Sequence, residues 1–397
     1  MSNAMRASGI PVGYAAAALL AAGAVAGAPE RAVVKAPGRA GQHEVLFVAN
    51  LGDGTITLID TQSLERLGAL NAVPEGKTPQ DPAQAAVYPG LLSAMGPNYA
   101  YGVKVAPDGS RVYVSRGYLG DVVAIELATK KILWRFQTSS RRADHTALSP
   151  DGSRLFVSAI SANEVQVLDA QTGKLAGSFA TGSRPHGLEF TPDGKHLYNG
   201  SLGTWRRDLP GSPHGPKQLT VADPKTLEVL RILPFERGVR PFAFTPDSSL
   251  LYVQFSDGDG FSEVNPVTGA ILRTKRLPVV GKQSTDPTEA PHHGIAVSAD
   301  GKTICDAAKL YDYIALVDRV SFETLATIAV AGGQPIEAET SSDGRYCFVA
   351  NRKGNSVSVI SYESRREVRR IPAGVGPQEM ADASVPDAIL QAGGFLK

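Results

Sequence analysis

Two histidines and an arginine recur at one register of this chain. His186, Arg240 and His293 each stand seven residues before an aspartate that opens a tight turn: Asp193, Asp247 and Asp300. Tyr101, Asp144 and Ile336 hold the same offset before Asp108, Asp151 and Asp343, and Gln378 holds the matching place near the C-terminus. His145, His292, Glu337 and Glu379 sit beside that register. Imidazole accepts, donates or ligates near neutral pH. A guanidinium presents a planar fork to carboxylates and phosphates. Three chemistries are open to such a set. The plainest is a group of solvated polar residues that satisfy one another. The second is a site for a polar small molecule or anion. Arg240 would hold the charge there and His186 and His293 would donate or shuttle protons. If catalytic, His186 or His293 is the general base and Arg240 stabilises the developing oxyanion. The third is a metal centre on His145, His186 and His293 with Glu337 or Glu379, a donor set that suits zinc or another transition ion. These histidines come from separate stretches, so no local ligand spacing supports a metal.

The elements that must position these residues repeat. Ala106-Pro107-Asp108-Gly109 leads into Arg111-Val112-Tyr113-Val114, and the same turn-then-strand unit returns at Asp151, Asp193, Asp247, Asp300 and Asp343. The aspartates are 43, 42, 54, 53 and 43 residues apart. Short strands repeating at about 40–50 residues predict a β-propeller. Each unit reads as a strand, an Asp/Gly/Asn turn, and a strand ending in Asp or Asn. A further turn such as Gln171-Thr172-Gly173 leads to an outer strand. That makes four antiparallel strands per blade, with turn-forming residues where hairpins need them. The first unit begins at its second strand. Val375-Gly376-Pro377-Gln378-Glu379-Met380-Ala381 reads like Ser183-Arg184-Pro185-His186-Gly187-Leu188-Glu189, so the C-terminus supplies the missing strand. The expected fold is all-β: a seven-bladed propeller of four-stranded antiparallel blades, its ring closed by pairing of N- and C-terminal strands.

Tyr346-Cys347-Phe348-Val349-Ala350-Asn351, Val45-Leu46-Phe47-Val48-Ala49-Asn50 and the return strand Asn355-Ser356-Val357-Ser358-Val359-Ile360 carry a family resemblance. With the Pro-Asp-Gly turns they resemble the Tyr-Val-Thr-Asn (YVTN) repeat of seven-bladed propellers, over about residues 43–383. The same motifs recur in lactonase-like propellers. That resemblance implies the fold, and sugar-lactone opening as one activity such a scaffold carries. The matching residues are turn and core residues, so they assign no catalytic role.

Propeller geometry sorts the loops. The Asp-Gly turns share one rim. The long insertions 71–98, 203–218 and 279–292 all fall on the other, where the inner strands enter the central channel. Long loops on a rigid scaffold carry function, so this rim is the expected working face. Trp205 and Arg206 in the second insertion are candidates to stack on or cover a ligand, with loop packing the plainer role. Tyr311 is a candidate wall of the same cleft. Tyr101, Asp144, His145, His292, Glu337 and Glu379 complete the ligand-binding set.

Lys+Arg 40 against Asp+Glu 39 gives a net charge of +1, which argues against a nucleic-acid surface. Residues 1–28 read as a tag remnant followed by a signal peptide, 29–42 as a lead segment, 43–383 as the propeller and 384–397 as a C-terminal tail. A periplasmic or secreted monomer without a membrane span is expected, because the apolar run near 14–25 is short. Cys305 and Cys347 follow their aspartates by five and four residues, so they leave opposite faces of their strands. Buried free thiols are expected. No motif requires a cofactor. The reading is an exported binding or scaffold propeller that recognises a small polar ligand or partner protein at the insertion-bearing face. A lactonase- or lyase-like enzyme is the alternative, and an accessory protein of a periplasmic redox pathway a second one.

Overall fold

The computed structural model of the chain describes residues 40–203, 215–281 and 289–396. The expected signal peptide, Trp205 and Arg206 lie outside the described residues.

Seven four-stranded antiparallel sheets form the blades. Their inner strands are Pro377–Pro386, Gly102–Val105, Ala143–Leu148, Pro185–Phe190, Val239–Phe244, Ile295–Val297 and Pro335–Thr340, for blades one to seven. Each inner strand contacts the inner strands of both neighbouring blades, and the last contacts the first. The ring is closed in blade one, where Pro377–Pro386 pairs with Gln42–Asn50 from Gln42↔Pro386 to Val48↔Met380. Closure removes the open edge that a linear array would present.

Burial follows from stacking. Second and third strands lie between two neighbouring blades and are buried on both faces, hence runs such as Val45-Leu46-Phe47-Val48-Ala49. Outer strands such as Leu175–Ala180 face solvent on one side and alternate. At the turn rim, aspartate Oδ1 closes each turn. Asp151 Oδ1 accepts from Ser149 Oγ at 2.6 Å, Ser153 N at 3.0 Å and Ser153 Oγ at 2.8 Å. The glycine after it sits at φ +71°, a left-handed conformation that a side chain disfavours.

One expectation needs correction. Cys305 and Cys347 are joined as a disulfide, with Cα atoms 6.7 Å apart. They lie on the second strands of blades six and seven. Neighbouring blades stack face to face, so side chains that meet must leave opposite faces of their own sheets. The strand parity was right, and it favours the bond. Beyond 383 the described residues continue from the closing strand. The closing strand runs to Pro386, and the helix Asp387–Ala392 and Phe395 follow. Leu390 and Phe395 pack into a cluster with Val105 and Leu127.

The 71–98 insertion folds as the helix Pro82–Met95. Asp81 caps it, accepting from Gln84 N at 2.8 Å, and Pro82 begins it. Gln84 then donates to Tyr118 O at 2.7 Å and Arg141 O at 2.9 Å, docking the helix on the rim of the channel. Among the described residues no helix is long and apolar enough to cross a membrane.

Candidate functional site

The inner strands do not run straight into the channel. In blades three, four, five and seven the register slips at the insertion end: between Ala143 and Thr146, Pro185 and Leu188, Val239 and Phe242, and Pro335 and Glu337. A bulge re-aims side chains that strict alternation would send to opposite faces. Asp144-His145, His186, Arg240 and Ile336 all sit in these bulges. Blade six reaches the same place with a glycine. Gly294 has φ +105°, and a Cβ there would meet the Glu337 backbone at 2.7 Å. This close approach brings His293 against blade seven, where its Nδ1 donates to Ile336 O at 2.8 Å.

Three imidazoles meet in the channel. The ring centroids of His145 and His186 are 4.3 Å apart, and those of His186 and His293 are 5.4 Å apart. Tyr101 meets His145 edge-on at 5.1 Å. A cavity opens on either side of this layer. The one at the insertion rim has a volume of about 500 Å³. Tyr101, His186, Arg240 and His293 line it, with Arg142, Lys309, Arg352 and Glu289. The one toward the turn rim has a volume of about 250 Å³. His145, Glu337 and Glu379 line it, with Lys104, Glu189 and Glu339.

Of the sequence candidates, Tyr101, His186, Arg240 and His293 thus share one cavity, and His145, Glu337 and Glu379 face the other. Asp144 is fully buried and pairs with Arg142 Nη2 at 2.8 Å. His292 and Tyr311 point away from the channel, into blade six. His292 Nδ1 lies 2.5 Å from Asp306 Oδ1, and its ring packs on Tyr311 and Tyr313. Tyr311 donates to Asp259 Oδ1 at 2.6 Å. One residue's difference between His292 and His293 therefore separates a core contact from a channel wall.

Lys309, Arg352, Glu189, Glu339 and Lys104 were missed. Lys309 and Arg352 directly follow the second strands of their blades, where Leu51, Ile160 and Leu202 stand in blades one, three and four. Two cations where three other blades carry an aliphatic residue were a readable signal. Lys104, Glu189 and Glu339 stand four residues before Asp108, Asp193 and Asp343, so the repeat register that located the histidines also locates them.

The two cavities perturb titration in opposite senses. At the insertion rim, burial lowers Lys309 to about 7, helped by the charges of Arg352 and Arg240. Burial lowers Arg240 and Arg352 to about 10, Arg142 adding to both. Burial and neighbouring charges push His186 and His293 well below the usual imidazole range, so both are neutral at pH 7. Toward the turn rim, burial raises Glu189 and Glu337 to about 7 and Glu339 to about 8. Glu379 goes the other way. Burial opposes its ionisation, but Lys104 at 2.6 Å and His145 Nδ1 at 3.1 Å hold it below the ordinary range.

Fold and site together define a seven-bladed β-propeller with a polar channel. Residues 176–368 match the family model "Lactonase, 7-bladed beta-propeller", and residues 52–202 match "Outer membrane protein assembly factor BamB". The chain is a seven-bladed propeller consistent with the lactonase-like propeller family. A comparison with curated protein sequences returns no match. Among solved structures, the chain resembles the Kuenenia stuttgartiensis hydrazine synthase at 18% identity and a TM-score of 0.59, covering 80% of this chain and 92% of that one. It also resembles the dihydro-heme d1 dehydrogenase NirN in complex with DHE, at 16% identity and a TM-score of 0.55, covering 83% of this chain and 63% of that one. At these identities the likeness shows the fold alone.

Proposed function

We propose that this chain is an exported propeller that binds a small anionic ligand in the cavity at the insertion rim. One observation carries the reading: Arg142, Arg240, Lys309 and Arg352 line one cavity of about 500 Å³ that has Glu289 as its carboxylate among the described lining residues. The Asp144 pair offsets Arg142. The remaining cations still exceed the carboxylate, and burial makes each of them costlier to hold charged. A bound carboxylate or phosphate relieves that cost. Charge-assisted hydrogen bonds to it contribute about 1.5–3 kcal/mol each. The cavity falls within the size range of small-molecule sites. Export rests on the apolar N-terminal run and on the disulfide, which suits an oxidising compartment.

The test is calorimetry at low ionic strength with a panel of mono-, di- and tricarboxylates and inorganic phosphate. At least one probe binds, and Arg240→Ala weakens it by about 10–100-fold, as loss of one charged hydrogen bond requires. Glu339→Gln, at the other end of the channel, leaves it unchanged. No binding by any probe, or binding indifferent to an Arg240→Ala/Arg352→Ala double change, overturns the reading.

A second reading is lactone opening, favoured by the fixed tautomer of His293. A carbonyl only accepts, so the proton on His293 sits at Nδ1 and Nε2 keeps its lone pair. A neutral imidazole in one cavity with Arg240 can take a proton from attacking water while the guanidinium holds the oxyanion. The matched lactonase segment includes both residues. Turnover of aldonolactones that is lost in both His293→Gln and Arg240→Ala supports it. Lactones left unhydrolysed by the wild-type protein reject it.

A further inference from the structure

We propose that Asp144, His145 and His186 form a binding site for a transition-metal ion of the zinc and cobalt class, between the two cavities. Each offers one ligand atom, and these atoms all lie within 4.8 Å of one another. The bulges of blades three and four create the cluster by turning consecutive and neighbouring residues toward one point.

The surroundings fit a metal site atom by atom. His145 Nδ1 lies 3.1 Å from Glu379 Oε2. A carboxylate accepts, so Nδ1 carries the proton and Nε2 offers its lone pair. That carboxylate–imidazole arrangement is the usual support of a metal-ligating histidine, fixing its tautomer and ring orientation. Nε2 is 3.7 Å from Asp144 Oδ1 and 3.3 Å from the Tyr101 hydroxyl. Arg142 takes Asp144 Oδ2, and among the described residues Oδ1 accepts the His145 N–H at 2.9 Å, so Oδ1 keeps a lone pair for a cation. His186 supplies the independent observation. Its side chain is buried, the residue being 3% exposed, yet Nδ1 has no hydrogen-bond partner among the described residues. A buried polar atom without a partner costs about 1–3 kcal/mol, and ligation removes that cost.

Two imidazole nitrogens and one carboxylate oxygen select the borderline metals over calcium or magnesium, which need more oxygens. Three protein ligands leave one tetrahedral position open. His186 also lines the insertion-rim cavity, so that position can be reached by water or an anion. Ligation at about 2.0–2.2 Å draws the donors inward from their present spacing. The assignment does not depend on the anion-binding reading, because the metal is held by protein atoms alone.

The experiment titrates Zn²⁺ or Co²⁺ alone into the full chain after chelator treatment and dialysis. One equivalent binds saturably, and Co²⁺ gives the intense visible absorption of a four-coordinate site. Glu379→Gln weakens binding by about 10–100-fold, the range for an outer-shell partner. His145→Ala and His186→Ala each weaken it more. Arg240→Ala does not weaken metal binding, because it removes a positive charge that acts on His186, and this separates the result from the fate of the anion site. Absence of saturable binding, or unchanged affinity when His145 and His186 are both replaced, overturns the proposal. If a histidine variant fails to fold, the wild-type cobalt spectrum decides: only the weak octahedral absorption of carboxylate-and-water binding would refute it.

Discussion

The two ends of the central channel carry opposite charge on one scaffold. Toward the insertion rim stand Arg142, Arg240, Lys309 and Arg352; toward the turn rim stand Glu189, Glu337, Glu339 and Glu379, with Lys104 among them. The acidic end draws on the inner strands of blades one, four and seven, whereas Arg240 lies on the inner strand of blade five, Arg142 just precedes that of blade three, and Lys309 and Arg352 follow second strands. The strand pairing that makes a blade is indifferent to which of them is charged, because backbone groups make the ladder while the channel-facing side chains pair with one another across neighbouring inner strands, as Lys104 does with Glu379. A closed propeller therefore holds two chemically separate ends, and the three clustered imidazoles lie between them. The scaffold fixes where groups point, and function is carried by a handful of offsets along seven short strands.

Stability against pH is the strongest test of this contrast. Glu339, Glu189 and Glu337 are raised from 4.5 to about 8, 7 and 7 by burial, so the folded chain keeps protons that the unfolded chain has released. Their contribution to stability falls as pH rises from about 4.5 toward 8, while His186 and His293, held neutral in the fold, oppose it below about pH 6.5. Lys309 is lowered from 10.5 to about 7, so over that window the unfolded chain binds the extra proton and stability rises with pH. Denaturant midpoints measured across pH 4–11 should fall and then recover. Glu339→Gln should flatten the first limb and Lys309→Met the second. A monotonic curve, or both limbs responding to one variant, would show that the two ends are not electrostatically separate. Anion affinity at the insertion rim should also decline above pH 7, as Lys309 loses its charge.

The legible part of this molecule is the part that repeats. The spacing of the aspartates located six of the seven inner strands, and counting seven residues back reached Tyr101, His186, Arg240 and His293, which share a cavity. The bulges were invisible, since a slip of one residue leaves no mark in composition. Without them the parity of Asp144 and His145 could not be assigned, and in blade six the close approach at Gly294 hid that of His292 and His293. Glu337 and Glu379 were placed beside the histidines, and they share the turn-rim cavity with His145, Glu379 lying 3.1 Å from its Nδ1. Lys309 and Arg352 come from second strands, outside the counted register. The disulfide shows the converse case, a correct parity read without the face-to-face stacking that gives it meaning.

That disulfide bears on the contrast too. Blades six and seven supply Lys309 and Arg352 to one end and Glu337 and Glu339 to the other, and Cys305–Cys347 ties them across 42 residues. Closing a loop of that length stabilises a fold by about 3–4 kcal/mol, chiefly by restricting the unfolded chain. Reduction, or replacement of both cysteines by alanine, should lower the denaturation midpoint accordingly. Both limbs of the pH curve should survive, because the bond is buried in an apolar interface with Ala307 and Val349 rather than in the channel. An unchanged midpoint on complete reduction would contradict this.

The smallest effect lies at the turn rim, away from both cavities. Five of the six Asp-initiated turns place glycine after the aspartate, at φ between +69° and +73°. Blade five has Ser248 there, at φ +62°. A left-handed L-residue costs about 1–2 kcal/mol, and glycine returns about 0.5–1 kcal/mol of that through the greater freedom of the unfolded chain. Ser248→Gly should therefore stabilise the fold by no more than about 1 kcal/mol and leave anion and metal binding untouched. The reverse change in blade three is not its mirror image. A Cβ at Gly152 would meet Pro107 Cδ at 2.5 Å and Cγ at 2.6 Å, so Gly152→Ser adds a clash with the next blade's turn to the backbone strain. Its cost should be several times the gain from Ser248→Gly. Equal and opposite shifts in thermal midpoint would show that backbone conformation alone sets the turn, with no contribution from how neighbouring blades pack at this rim.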